Sequence, residues 1–321
     1  MILIYYFDLY FHRSSYTWYS YYPDLDDFQI ISSNFATTDK GNYFADEIKF
    51  EDISSGNILY IHQQNSNLLV HACSFCRCFF DSNSQSGNVG NCIDFNGNNS
   101  IQKYIFNYNN PKMQHCEIIN QNKDCILESS ISKSDDIYNN IKHSNGEIKL
   151  SGLNISNSDS TAYGFYYGLQ SIKTNIILNI IFNVTFQHWC IALNSESSID
   201  RNIFKLNKNS SEVESSLIYL EGRTNIAKCI LTRNTAQYMI NIIYPHKGFV
   251  SGSIKDIDNL YLKFAIESEG SNSFDTNILT KGEFNLNPMI SMLESYELKQ
   301  NSNAKINNAN VDLRFAQVRR R

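Results

Sequence analysis

Proline and glycine are scarce in this chain, four and fourteen residues among 321. A β-sandwich or barrel turns tightly at short intervals and is usually punctuated by both, so their scarcity argues against either. Asn and Ser take their place, and Asn tolerates the left-handed backbone of a sharp corner. Helical patterning is scarce too. Only residues 288–299 carry apolar side chains at helical spacing (Met289, Ile290, Met292, Leu293, Tyr296, Leu298). No run of 18 uncharged apolar residues occurs, so no membrane-spanning helix is expected. The longest candidate, residues 176–186, is interrupted by Asn179 and Asn183. Residues 1–10 are apolar but carry Asp8 and lack a basic leader, and they read as a first strand or a truncated start rather than a signal peptide.

Positive charge is also in short supply. The formal net charge is −5, with 27 Lys and Arg against 32 Asp and Glu, which argues against phosphate neutralisation and a nucleic-acid partner. The basic cluster Arg319, Arg320 and Arg321 reads as a solvated tail.

What the chain does have is apolar content, 42 %, and aromatic content, 13 %. Within residues 164–268, five short apolar runs centred on Tyr166, Ala192, Ile218, Asn241 and Ala265 are spaced by 26, 26, 23 and 24 residues. A second ladder, Ile199, Ile226, Val250 and Phe274, is spaced by 27, 24 and 24. A third set of runs follows at Ile203, Ile230, Ile257 and Ile278. Tyr60, Ile93 and Ile126 read as earlier members of the first ladder, with larger loops between them. A unit of about 24 residues with three short strands and no helix predicts an all-β, right-handed parallel β-helix, in which strands of successive coils stack and equivalent inward residues form columns. The leucine-rich-repeat pattern does not recur. The expected organisation is an aromatic-rich N-terminal cap or first coil over residues 1–45, the β-helix over 46–285, and a C-terminal cap helix with a polar tail over 286–321.

The segment from Cys73 through Cys76 and Cys78, followed by a polar loop and then Gly90 to Phe95, resembles a recurrent motif of a family of predicted right-handed, pectin-lyase-like β-helix proteins from trichomonad-type parasitic protists. That motif is a Cys-x-Phe-x-x-Cys coil followed by Gly-Gly-Ala-Ile-Tyr-Phe; Asn91 and Cys92 replace its second Gly and its Ala here. The later rhythm around Lys228 to Asn234, after Tyr219 to Gly222, is similar. The resemblance covers residues 50–285. It implies a surface or secreted location and supplies no catalytic residues.

Candidate chemistry is thin. Asp26 with Asp27 and Asp135 with Asp136 are acidic pairs without a visible partner, whereas glycosidic hydrolysis needs two carboxyls at a defined separation. The Gly-His-Gly and Arg-Ile-Lys sequences of a polygalacturonase-like site do not occur. Asp256 and Asp258 would share one face of a strand, beside Lys255, and form the best lyase-like cluster. Cys73, Cys76, Cys78 and His71 suggest zinc, but strand alternation points them apart, and they read as core residues. His12, His62, His71, His115, His143, His188 and His246 stand apart from one another and read as structural. Four sequons, at Asn98, Asn154, Asn183 and Asn209, are compatible with secretion. No catalytic, cofactor or metal residues are assigned. The expected function is a non-enzymatic solenoid binding glycan or protein. The alternatives are a polysaccharide-acting lyase or hydrolase, and a fragment of a larger membrane-anchored surface protein. Any functional site is expected where the period breaks, between residues 82 and 145.

Overall fold

The computed structural model describes residues 17–54, 56–79, 90–134, 139–160, 164–210, 215–243, 248–251, 254–255 and 263–267. The chain forms two compact units, Met1–Ile278 and Leu279–Arg321, and every described residue belongs to the first. These residues build a parallel β-solenoid with almost no helix. Eighteen strands form one continuous sheet, nine form a second and two a third. The eighteen-stranded sheet has two limbs joined at a bend. Gly90–Lys103 and Met113–Leu127 run through both limbs, whereas later coils divide into pairs such as Trp189–Leu193 and Glu196–Asp200.

The five runs of the first ladder are strands Gly164–Leu169, Trp189–Leu193, Ser216–Leu220, Tyr238–Ile243 and Lys263–Glu267, stacked in parallel in that order. Their register corrects the expected alignment by one residue. The inward column is Tyr166, Ile191, Ile218 and Ile240, and Phe264 is in register with it. Ala192, Asn241 and Ala265 lie in the adjacent column with Tyr167 and Tyr219. A one-residue offset exchanges faces, and the centre of an apolar run does not reveal parity. Upstream, Ile93 continues the inward column, but Tyr60 is one place off it and Ile126 belongs to the other limb. Both limbs share one period, so spacing alone cannot assign a residue to a limb.

The second ladder is in register at Ile199, Ile226 and Val250 and extends upstream through Ile176, Leu150, Ile126, Gln102, Val70, Ala45 and Ile31. Phe274 lies outside the described residues. In the nine-stranded sheet, Ile203 pairs with Ile230, and the next member is Ile254 rather than Ile257. Its inward column runs Phe50, Phe75, Asn107, Ile131, Ile155, Ile181, Phe204 and Leu231. These columns make one continuous hydrophobic core, and each fully buried Ile, Leu or Phe contributes about 1.5–3 kcal/mol.

The corners differ from the expectation that Asn supplies the left-handed residue. Glu47, Ala72, Tyr104, Glu128, Gly152, Leu178, Arg201 and Lys228 form one ladder of positive φ, and Asp52, Arg77, Asn109, Lys133, Asn157, Asn183, Leu206 and Arg233 form a second. Most are not Asn. The backbone N–H of a corner residue donates to a carbonyl of the next coil, as in Leu178 to Asp200 (3.1 Å) and Arg201 to Ala227 (2.9 Å). The buried Asn110, Asn179, Asn202, Asn207 and Asn234 stand immediately after such positions. Asn202 Oδ1 accepts from the backbone N–H and side-chain amide of Asn179 (2.9 and 3.0 Å), and Asn234 Oδ1 accepts in the same way from Asn207 (3.0 and 3.0 Å). Asn therefore satisfies corner amides from inside the core.

Residues 17–21 are helical. Trp18 and Tyr22 pack with Phe44 and Leu69 in a cluster separate from the main core. Phe44, Leu69 and Ile101 are in register on the outer side of the second limb, so this segment covers the flank of the sheet. The Trp18 indole donates to the Leu25 carbonyl (2.9 Å), and the Tyr22 hydroxyl donates to that of Leu68 (3.0 Å). The helix expected at residues 288–299 lies outside the described residues.

Candidate functional site

The chain positions a row of polar and aromatic side chains on the outer face of the first limb. Strand alternation places Tyr60, Asp94, Glu117, Lys142, Tyr167, Ala192, Tyr219 and Asn241 in one column along the solenoid. The row has a charged half and an aromatic half.

In the charged half, Asp94 is the hub. Its Oδ1 lies 2.5 Å from His62 Nε2, and its Oδ2 accepts from Asn57 (2.7 Å) and Asn91 (3.4 Å). The His62 ring stacks on Tyr60, centroids 4.1 Å apart. One coil on, Glu117 accepts from Lys142 Nζ at 2.6 Å. Asp94 and Glu117 are register neighbours, a carboxylate pair that sequence reasoning missed.

In the aromatic half, Trp189 stacks on Tyr219 (centroids 4.4 Å, planes 22° apart) and on Tyr167 (6.4 Å, 24°). The register supplies the reason. Ala192 stands between Tyr167 and Tyr219 in the column, and the indole of the same strand stacks on both tyrosines. His188 flanks the stack at 5.9 Å from Trp189, and the Tyr219 hydroxyl donates to Glu221 (2.8 Å). Because Trp189 is sandwiched, the stack offers ring edges and the outer faces of its end tyrosines.

The residues singled out from sequence fall elsewhere. Asp26 and Asp27 are exposed, and their backbone carbonyls accept from Tyr19 and Asn42. Lys255 pairs with Leu231. Asp135, Asp136, Asp256, Asp258, His12 and His246 lie outside the described residues. Cys73, Cys76 and Cys78 are buried free thiols. The strand alternation assumed for them is interrupted, because the chain bends at Ala72 (φ 52°) and Arg77 (φ 55°). Burial pushes the Cys73 thiol up to about 12 and that of Cys78 to about 11, which suits core packing rather than nucleophilic chemistry. Among the described residues no group of three or more His, Cys, Asp or Glu is placed to hold a metal ion.

Three histidines that look isolated in sequence sit beside carboxylates. His62 meets Asp94, His71 Nδ1 lies 2.8 Å from Asp46, and His143 Nε2 lies 2.8 Å from Asp124. His115 accepts from the Asn107 amide at 2.9 Å. His71 and Asp46 are 25 residues apart and His62 and Asp94 are 32 apart. The usable signal is therefore an Asp one coil-length away. Of the four sequons, Asn183 is exposed at a corner. Asn98, Asn154 and Asn209 are half-buried, and Ser100 of the first is fully buried.

The fold and face define a parallel β-solenoid with a mixed charged and aromatic outer strip. No family model, no curated protein and no solved structure matches the chain.

Proposed function

We propose that this protein is a non-enzymatic binding solenoid whose ligand is a glycan lying along the outer face of the first limb. The observation that carries the reading is the single outer column in which Tyr60, Asp94, Glu117 and Lys142 run into Tyr167, Ala192 and Tyr219, with His62 against Asp94 and Trp189 stacked on the two later tyrosines. Strands repeat about every 4.8 Å, close to the length of one monosaccharide unit, so successive coils can address successive sugars. The carboxylates, Lys142 and His62 suit sugar hydroxyls. The end tyrosines supply flat apolar surface and a phenolic hydroxyl. A location at the cell surface or outside the cell, and membership of the trichomonad-type pectin-lyase-like family, belong to this reading and rest on the motif at residues 73–95. Right-handed winding also belongs to it, supported by the handedness of crossovers between parallel strands.

A second reading, a polysaccharide-acting enzyme, is favoured by the register pairing of Asp94 with Glu117. Glycosidases require one carboxyl to deliver a proton and another to act on the anomeric carbon or a water. Here Asp94 is engaged by Asn57, His62 and Asn91, and Glu117 by Lys142, an arrangement better suited to binding. A glycan array with the full chain tests the proposal. Binding should occur, and Trp189→Ala should weaken it about tenfold, equivalent to about 1.4 kcal/mol. A folded chain that binds no glycan, or binding indifferent to Trp189→Ala, sinks it. Release of reducing ends or unsaturated uronides from a polysaccharide panel would establish the second reading.

A further inference from the structure

The strands that contribute Asp94 and Glu117 to the outer face carry an unusual set of side chains on their inner face. Asp124 occupies the inward column Leu68, Ser100, Asp124, Ile148 and Thr174. His143 occupies the inward column Phe95, Ile118, His143, Gly168 and Leu193. Both are about 1 % exposed, with His143 Nε2 2.8 Å from Asp124 Oδ2 and 4.0 Å from Cys116 Sγ. The Tyr166 ring meets His143 edge-on, centroids 5.5 Å apart. That ring needs Gly168, where a Cβ would stand 2.9 Å from the phenol oxygen.

Polar atoms here lack partners of good geometry within the chain. Asp124 Oδ2 faces only the His143 ring, and Asp124 Oδ1, Ser100 Oγ and His143 Nδ1 have no hydrogen bond. The Gln102 amide lies beside the Cys116 thiol, a weak donor, and makes no regular hydrogen bond. Asn120, on the strand of Asp124, and Asn140, on the strand of His143, are buried with neither amide atom bonded. A carboxylate out of water with one oxygen left unpartnered is a costly arrangement in a protein. Of the neighbours in these two columns, Ile118, Ile148 and Gly168 bring no polar side chain, which leaves Ser100 on the coil before.

We propose that the core between Gly90–Lys103, Met113–Leu127 and Asn139–Ser144 encloses an internal hydration site, in which ordered water bridges the Asp124 carboxylate to Ser100 Oγ and the Gln102 amide. Ser100 and Asp124 are register neighbours, with backbones about 4.8 Å apart. A buried water makes about three hydrogen bonds to groups of this kind. The solenoid thus carries its binding face on the outside of a wet segment of core.

A crystal structure of the full chain, at a resolution that shows solvent, tests this. Water within hydrogen-bond distance of an Asp124 oxygen is the expected result. A dry site overturns the proposal, as does a metal held by Cys116, His143 and Asp124 and identified by X-ray fluorescence. In solution, oxygen-17 relaxation dispersion should show fewer long-lived waters in the double variant Asp124→Leu, His143→Leu than in the native chain. Should that variant fail to fold by circular dichroism, Ser100→Ala and Gln102→Leu carry the same comparison. An unchanged number of long-lived waters in a folded variant overturns the proposal.

Discussion

The coils around Met113–Leu127 and those around Ser216–Leu220 share one backbone plan and fill it differently. In the later coils the inward columns read Ile191, Ile218, Ile240 and Leu193, Leu220, all buried. In the middle coils the columns of Ile191 and Leu193 contain Cys116 and His143, beside Asp124 in a column that later holds Thr174, Ser197 and Thr224, and the nine-stranded sheet places Asn107 between Phe75 and Ile131. Parallel pairing through backbone amides holds both regions together, so the columns can vary without changing the fold. The comparison teaches that in a solenoid the ladder specifies architecture, while the identity of each inward residue sets local stability and hydration.

The largest expected effect lies in the apolar region. Phe204→Ala removes a fully buried ring from between Ile181 and Leu231 and should cost about 3–5 kcal/mol in urea unfolding. The middle coils should answer in a way that depends on how they are changed. His143→Ala leaves the buried Asp124 without its imidazole partner and should cost about 3–5 kcal/mol. The double change Asp124→Leu, His143→Leu should stay within about 1 kcal/mol of the native chain or exceed it. A double variant as damaged as the single one would erase the distinction drawn between the regions.

A third contrast is pH. Burial, reinforced by repulsion from His143, holds the His115 imidazole down to about 3. Unfolded His takes up a proton below about 6.5 while folded His115 does not. Its contribution is therefore intact above that pH and is lost as pH falls from about 6.5 toward 3, at no more than about 1.4 kcal/mol per pH unit. Unfolding midpoints measured across this range should fall for the native chain and fall less for His115→Leu. Smallest is Leu178→Gly. Leu178 is exposed with φ 58°, and relieving the left-handed strain should add about 1 kcal/mol, read as a rise in the urea midpoint.

Much of the fold is legible in the sequence because apolar runs at a near-constant interval have few solutions. The second ladder, Ile199, Ile226 and Val250, aligns as its spacing indicates. The first is displaced by one residue because a run such as Cys190, Ile191, Ala192 and Leu193 is buried at every position and conceals its parity. The outer strip is less legible. Asp94 and Glu117 look like isolated acids until the register joins them, and Trp189 is seen to meet Tyr167 and Tyr219 only once the register sets their coils side by side. The wet core is the least legible, because an Asp and a His separated by 19 positions in the chain signal nothing until coil length is known.

The two left-handed corner ladders have a consequence for how such a chain comes to exist. A non-Gly residue at positive φ is unfavourable by about 1–2 kcal/mol, and each coil carries such residues at two corners. Their amides are satisfied by carbonyls of the following coil. A lone coil is therefore a high-energy object, and a new one becomes stable only when laid against a finished surface. The solenoid should assemble as a one-dimensional crystal does, with a slow seed followed by rapid templated growth, and its exposed last layer should always be the one closest to melting.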